Sequence, residues 1–106
     1  MCGILGFSGN YAKNIGNLPS SKEYFTKSFE EALSLIHHRG PDASGIKSFW
    51  NHDVFLGHTR LAIQDLSSAG SQPMTSNDKE LSIIFNGEIY NYQLLKKQLL
   101  SLGYTF

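Results

Sequence analysis

The sequence predicts an α+β fold, and three observations predict it. An apolar run at the start, MCGILGF (residues 1–7), is closed by Ser8-Gly9-Asn10 and reads as a buried strand. Phe25, Phe29, Ala32, Leu33 and Ile36 then recur at helical spacing, so residues 22–37 are expected to form an amphipathic helix. Residues 46–50 and 54–63 follow as two strands around an Asn51-His52-Asp53 turn.

The remaining elements follow in order. Residues 10–20 are polar, with Gly16 and Pro19, and are expected to be a loop. Ser20 and Glu23 have the capping-box spacing for the first helix, and Gly40-Pro41 ends it. Residues 65–78 lack periodicity and are rich in Ser, Gly, Asn and Pro, hence a long loop; loops of that length in small domains are often functional. Residues 81–85 read as a strand cut by Asn86-Gly87. Tyr92, Leu95, Leu99 and Leu102 mark a last helix, with Asn91 as its cap and Gly103 as its stop. Tyr104-Thr105-Phe106 opens a further strand, so the chain reads as truncated.

At 106 residues the chain is one small domain or part of a larger one. Aromatic residues at 12 % and charged residues at only 17 % argue for a folded chain. Nine basic and nine acidic side chains cancel, which removes the electrostatic case for nucleic acid or an anionic membrane as partner. No apolar run approaches the ~20 residues of a membrane span, and no secretory leader is visible. The lone cysteine forbids an internal disulfide and fits a reducing, cytoplasmic setting.

That cysteine is residue 2. If Met1 is removed, one residue carries both a thiol and a free α-amine, a nucleophile and a base together. The plainer reading is a small side chain buried at a strand start. Asn86-Gly87 is a strong hairpin signal, yet a side-chain amide beside a glycine N–H can also serve one developing oxyanion. Glu88 either holds an ammonium group or is a solvated charge. Arg60, inside an apolar segment, either lays its stem along apolar surface or grips a carboxylate. The four histidines lack metal-ligand spacing, so surface or packing roles are expected. His38-Arg39-Gly40-Pro41-Asp42 is a structural turn or a loop framing a site.

MCGILGF, HHRGPDASG, GHTRLAIQDLS, GSQPM and FNGEIYNY, in this order over residues 1–92, resemble the class II glutamine amidotransferases. The set is most similar to the N-terminal nucleophile glutaminase domain of glutamine-hydrolysing asparagine synthetases. The resemblance implies a four-layer αββα sandwich, of which residues 1–106 would be about the first half. It implies that Cys2, Asn86 and Gly87 are catalytic, and that Arg60, Ile63, Asn86, Gly87 and Glu88 bind L-glutamine. Cys2 would form a thioester, releasing ammonia and then glutamate. A C-terminal synthetase domain absent from this chain would use ATP and Mg to amidate aspartate, and a homodimer is possible in this family. No cofactor or metal is expected in this segment. A further aspartate that holds the substrate ammonium in the family would lie beyond residue 106. The alternatives are an amidotransferase acting on another carboxylate, or a catalytically silent interaction module.

Overall fold

Three antiparallel strands, β1 (Gly3–Ser8), β2 (Ala43–Phe49) and β3 (Val54–Arg60), form a sheet in the order β1-β3-β2. This computed structural model describes residues 1–10, 19–63 and 67–105; the side chains of 19–21 are outside the description. The register pairs Gly3 with Thr59 and Phe7 with Phe55 on one side of β3, and Ser44 with Thr59 and Ser48 with Phe55 on the other. Side chains alternate across a sheet, so Phe7, Phe55 and Thr59 share one face, while Ile4, His58 and Arg60 share the opposite one.

Helix α1 (Pro19–Leu35) covers the first face. Its Phe29 and Leu33 are buried, and Gly57 of β3 is where they land. A Cβ at Gly57 would come within 3.0 Å of both side chains, so glycine lets the helix approach the sheet. Phe55 is the centre of the core at 1 % exposure. The rings of Phe25 and Trp50 lie 4.5 and 4.6 Å from it, and Phe7 lies 4.9 Å from Phe25. Tilted and edge-on aromatic contacts of this kind add to the stabilisation from burial alone.

The segment after β3 crosses the other face. A Cβ at Gly45 would stand 2.2 Å from the Gln72 carbonyl oxygen, and Lys47 Nζ donates to Thr75 Oγ1 at 2.6 Å. A ribbon of β4 (Met74–Thr75) and β5 (Ser82–Ile83) follows, and then helix α2 (Tyr92–Ser101). The described residues therefore form a mixed α+β fold with antiparallel sheets, helix on one face and ribbon on the other.

Several expectations need correction. The first helix stops at Leu35, and His37–Arg39 form a separate 3-10 turn. The Asn51-His52-Asp53 turn is a 3-10 turn, Trp50–His52, closed by Asp53 in the left-handed region at φ 49°. The expected strand over 81–85 shrinks to two residues, because only Ser82 and Ile83 find a ladder partner. The long loop contains a 3-10 turn, Ser68–Gly70, and β4, while residues 64–66 lie outside the described residues. Asn91 makes no side-chain cap bond to α2, although Gly103, at φ 88°, does stop that helix. Tyr104 and Thr105 are not in a strand, and Phe106 lies outside the described residues. So do residues 11–18 of the expected first loop and the Ser20 side chain of the expected capping box.

Candidate functional site

Cys2 sits just ahead of β1, where the register continues toward the end of β3 on the face away from α1. Its position is fixed from three directions. Arg39 Nε donates to the Cys2 carbonyl oxygen at 3.2 Å. The Gly3 N–H donates to Thr59 Oγ1 at 3.1 Å, and that hydroxyl donates onward to the Ile36 carbonyl. The Leu61 N–H reaches Cys2 Sγ at 3.4 Å. A buried hydroxyl and an arginine thus hold the backbone on either side of a half-buried thiol.

The HHRGPD segment frames the same corner. Gly40 passes so close to β3 that a Cβ would stand 2.4 Å from the Thr59 carbonyl carbon. Asp42 donates its N–H to the Arg60 carbonyl at 3.0 Å and accepts from the Ala62 N–H at 2.8 Å. Of the two readings of this segment, the structural turn is seen directly, and its bonds reach the backbone of Cys2, Arg60 and Ala62.

Arg60 ends β3 with its guanidinium against the Ser68–Gly70 turn. Its Nη1 donates to the Ser67 carbonyl at 2.6 Å, and a Cβ at Gly70 would stand 2.4 Å from Nη2. Glycine at 70 makes room for the arginine.

Cys2, Arg60, Ile63, Asn86, Gly87 and Glu88 all line one open cavity of about 350 Å³. These are the six residues expected as catalytic or substrate-binding, and they come from three separated stretches of chain. The wall on the 86–88 side does not form the hairpin that Asn-Gly signalled. Neither Asn86 nor Gly87 has positive φ, as a type I′ turn requires, and the chain runs on to α2. Chemically, the cavity juxtaposes a thiol, a cationic guanidinium, a carboxylate, a side-chain amide and a glycine N–H.

Three residues escaped a specific assignment in the sequence. Gln72 bonds both backbone groups of Phe85. Thr59 joins β1 to the end of α1. His58 is 1 % exposed, with neither ring nitrogen hydrogen-bonded. Burial, first, and the Arg60 charge hold His58 below its ordinary value; the Phe85 carbonyl, outside hydrogen-bond geometry, opposes them. His37, His38 and His52 are exposed. Among the described residues no three His, Cys, Asp or Glu side chains converge as a metal site would need.

A family model described as a glutamine amidotransferase domain matches residues 1–106, the whole chain. The chain belongs to this family. It is 40 % identical over 102 residues to the amidase chry2 of Gibberella zeae, covering 93 % of this chain and 15 % of that protein. It is 40 % identical over 103 residues to glutamine-hydrolysing asparagine synthetase 1 of Bacillus subtilis, covering 97 % and 15 %. With glutamine-hydrolysing asparagine synthetase 2 of Arabidopsis thaliana it shares 39 % over 101 residues, 95 % of this chain and 16 % of that protein. The chain spans only 15–16 % of the length of these relatives. No solved structure matches it significantly. No helix among the described residues is long and apolar enough to cross a membrane.

Proposed function

We propose that this chain carries the glutamine-hydrolysing site of an asparagine synthetase-like amidotransferase. The observation that carries the proposal is the convergence of Cys2, Arg60, Asn86, Gly87 and Glu88 on one cavity in a chain of the glutamine amidotransferase family. Met1 lines the same cavity and is 76 % exposed, accessible to the removal that would free the Cys2 amine.

In this reading Arg60 binds the α-carboxylate of L-glutamine and Glu88 its α-ammonium, with Ile63 against the substrate. The Cys2 amine takes the thiol proton as Sγ bonds to the side-chain amide carbon. The Asn86 amide and the Gly87 N–H receive the tetrahedral oxyanion, a contribution worth ~10²–10³ in turnover per donor. The C–N bond then breaks, the leaving nitrogen takes the proton from the amine, and ammonia departs. Water adds to the thioester, releases glutamate and returns the proton to sulfur.

The rest of the assembly belongs to the proposal as well. The chain forms part of a four-layer αββα glutaminase domain, residues 1–106 covering about its first half. A C-terminal synthetase domain uses the ammonia to convert aspartate to asparagine. That domain would hold the ATP and Mg. A cytoplasmic homodimer completes the picture. A second reading is amidation of a carboxylate other than aspartate's: the chain is as similar to a protein named as an amidase as to one named as an asparagine synthetase, so the identities do not single out aspartate.

Arg60→Ala tests the carboxylate clamp. It is expected to raise KM for glutamine at least about tenfold with a smaller change in kcat, since a clamp on an unreactive group binds ground and transition states alike. An unchanged KM would remove Arg60 from the site.

A further inference from the structure

We infer that Gln72 is a positioning residue for the Asn86–Gly87 wall of the cavity; the inference rests on the glutaminase reading. β5 ends at Ile83, so the backbone of Phe85, two residues further on, has no strand beside it in the described ladder. The Gln72 carboxamide takes the place of that strand. Its Oε1 accepts from the Phe85 N–H at 2.6 Å, and its Nε2 donates to the Phe85 carbonyl at 3.2 Å. A carboxamide offers one acceptor and a donor side by side, the same pattern a strand edge offers, so a single side chain satisfies both backbone groups.

Gln72 is itself anchored. Its carbonyl oxygen packs on Gly45 of β2, where a Cβ would come within 2.2 Å. Beyond the grip, the Phe85 ring lies against Gly87, where a Cβ would meet ring Cζ at 2.8 Å. The chain of contacts therefore runs from the rigid sheet through Gln72 to Phe85, and from Phe85 to the residues assigned to the oxyanion. Glutamate at 72 would keep the acceptor for the N–H but oppose a carboxylate oxygen to the Phe85 carbonyl. Methionine would keep the volume and lose both bonds.

Oxyanion donors act chiefly in the transition state, and a displacement on the order of 1 Å can cost ~10² in rate. In the naturally produced full-length protein, Gln72→Met is therefore expected to lower kcat about 10²-fold with KM for glutamine within about threefold. Gln72→Glu is expected to fall less and to regain activity relative to wild type as pH drops, because the protonated carboxyl restores the donor. His58 and Arg60 of β3, with Cys2 and Glu88 across the larger cavity, are common to both proteins, so the ratio isolates residue 72. A purely packing role would instead leave Gln72→Met, which keeps the volume, close to wild type in kcat.

Hydrogen exchange on peptides spanning residues 84–90 supplies a readout independent of turnover. Exchange at Phe85 at least about tenfold faster in Gln72→Met supports the clamp. Equal exchange in wild type and variant overturns it, and so does faster exchange with unchanged kcat. A wild-type protein that exchanges as expected but does not hydrolyse glutamine overturns the glutaminase reading and leaves the clamp standing.

Discussion

Cys2 has its own carbonyl bonded to Arg39, the next residue's N–H bonded to Thr59, and its sulfur facing the Leu61 N–H. A thiol so held is placed by backbone, and the residues doing it come from the HHRGPD segment and the end of β3. The sequence marks the cysteine because it stands at position 2, and marks Arg60 because a cation interrupts an apolar segment. Thr59 carries no such mark, since a β-branched residue in a strand is ordinary. Gln72 is equally silent: its partner is thirteen residues away, and no local pattern pairs a glutamine with a distant backbone. Spacing alone leaves His58 with a surface or a packing role, and burial makes it packing. Its lowered pKa sets the sign of a stability effect. The neutral ring is favoured when folded, so stability is full above the unfolded value of 6.5 and is lost as pH falls through it toward the depressed folded value. Thermal unfolding from about pH 7.5 to 5 is expected to show this decline, and His58→Leu is expected to flatten it. Parallel wild-type and variant curves would mean the ring does not titrate against folding.

The elements that were legible are those with a local signature. Alternation and apolar runs gave β1 and β3, and the Phe25, Phe29, Leu33 spacing gave α1 to within a few residues. The ribbon was not legible, because a two-residue ladder is decided by which backbone meets which across the sheet. Asn86-Gly87 pointed to a hairpin, and long-range contacts through Phe85 overrode that local preference. At the turn between α1 and β2, Gly40 looked like a helix stop, yet its stronger constraint is the contact with β3. A methyl there would stand 2.4 Å from backbone, which cannot rotate away. Gly40→Ala is expected to destabilise by about 3 kcal/mol, an overpacking cost, in denaturant unfolding. A loss below about 0.5 kcal/mol would show that the turn can shift off the strand.

For the whole molecule, the radius of gyration is 16.2 Å, against ~13 Å for an ordinary compact domain of this length. The excess agrees with α2, which has no buried residue and leaves Leu94, Leu100 and Tyr92 more than half exposed. A ten-residue helix without a packed face is marginal in water. In the chain of residues 1–106, amide exchange in α2 is expected to be faster than in β3 by at least about a hundredfold. Comparable protection would mean that α2 is covered, by another copy or by a different packing of the chain.

The most direct test of the account is the intact mass of the naturally produced protein after exposure to an electrophilic glutamine analogue. The account predicts loss of Met1 and a single adduct on Cys2, prevented by excess glutamine and absent in Cys2→Ala. Retention of Met1, or a free Cys2 amine with no glutamine-protected adduct, would contradict the assignment of Cys2 as the nucleophile of a glutamine site.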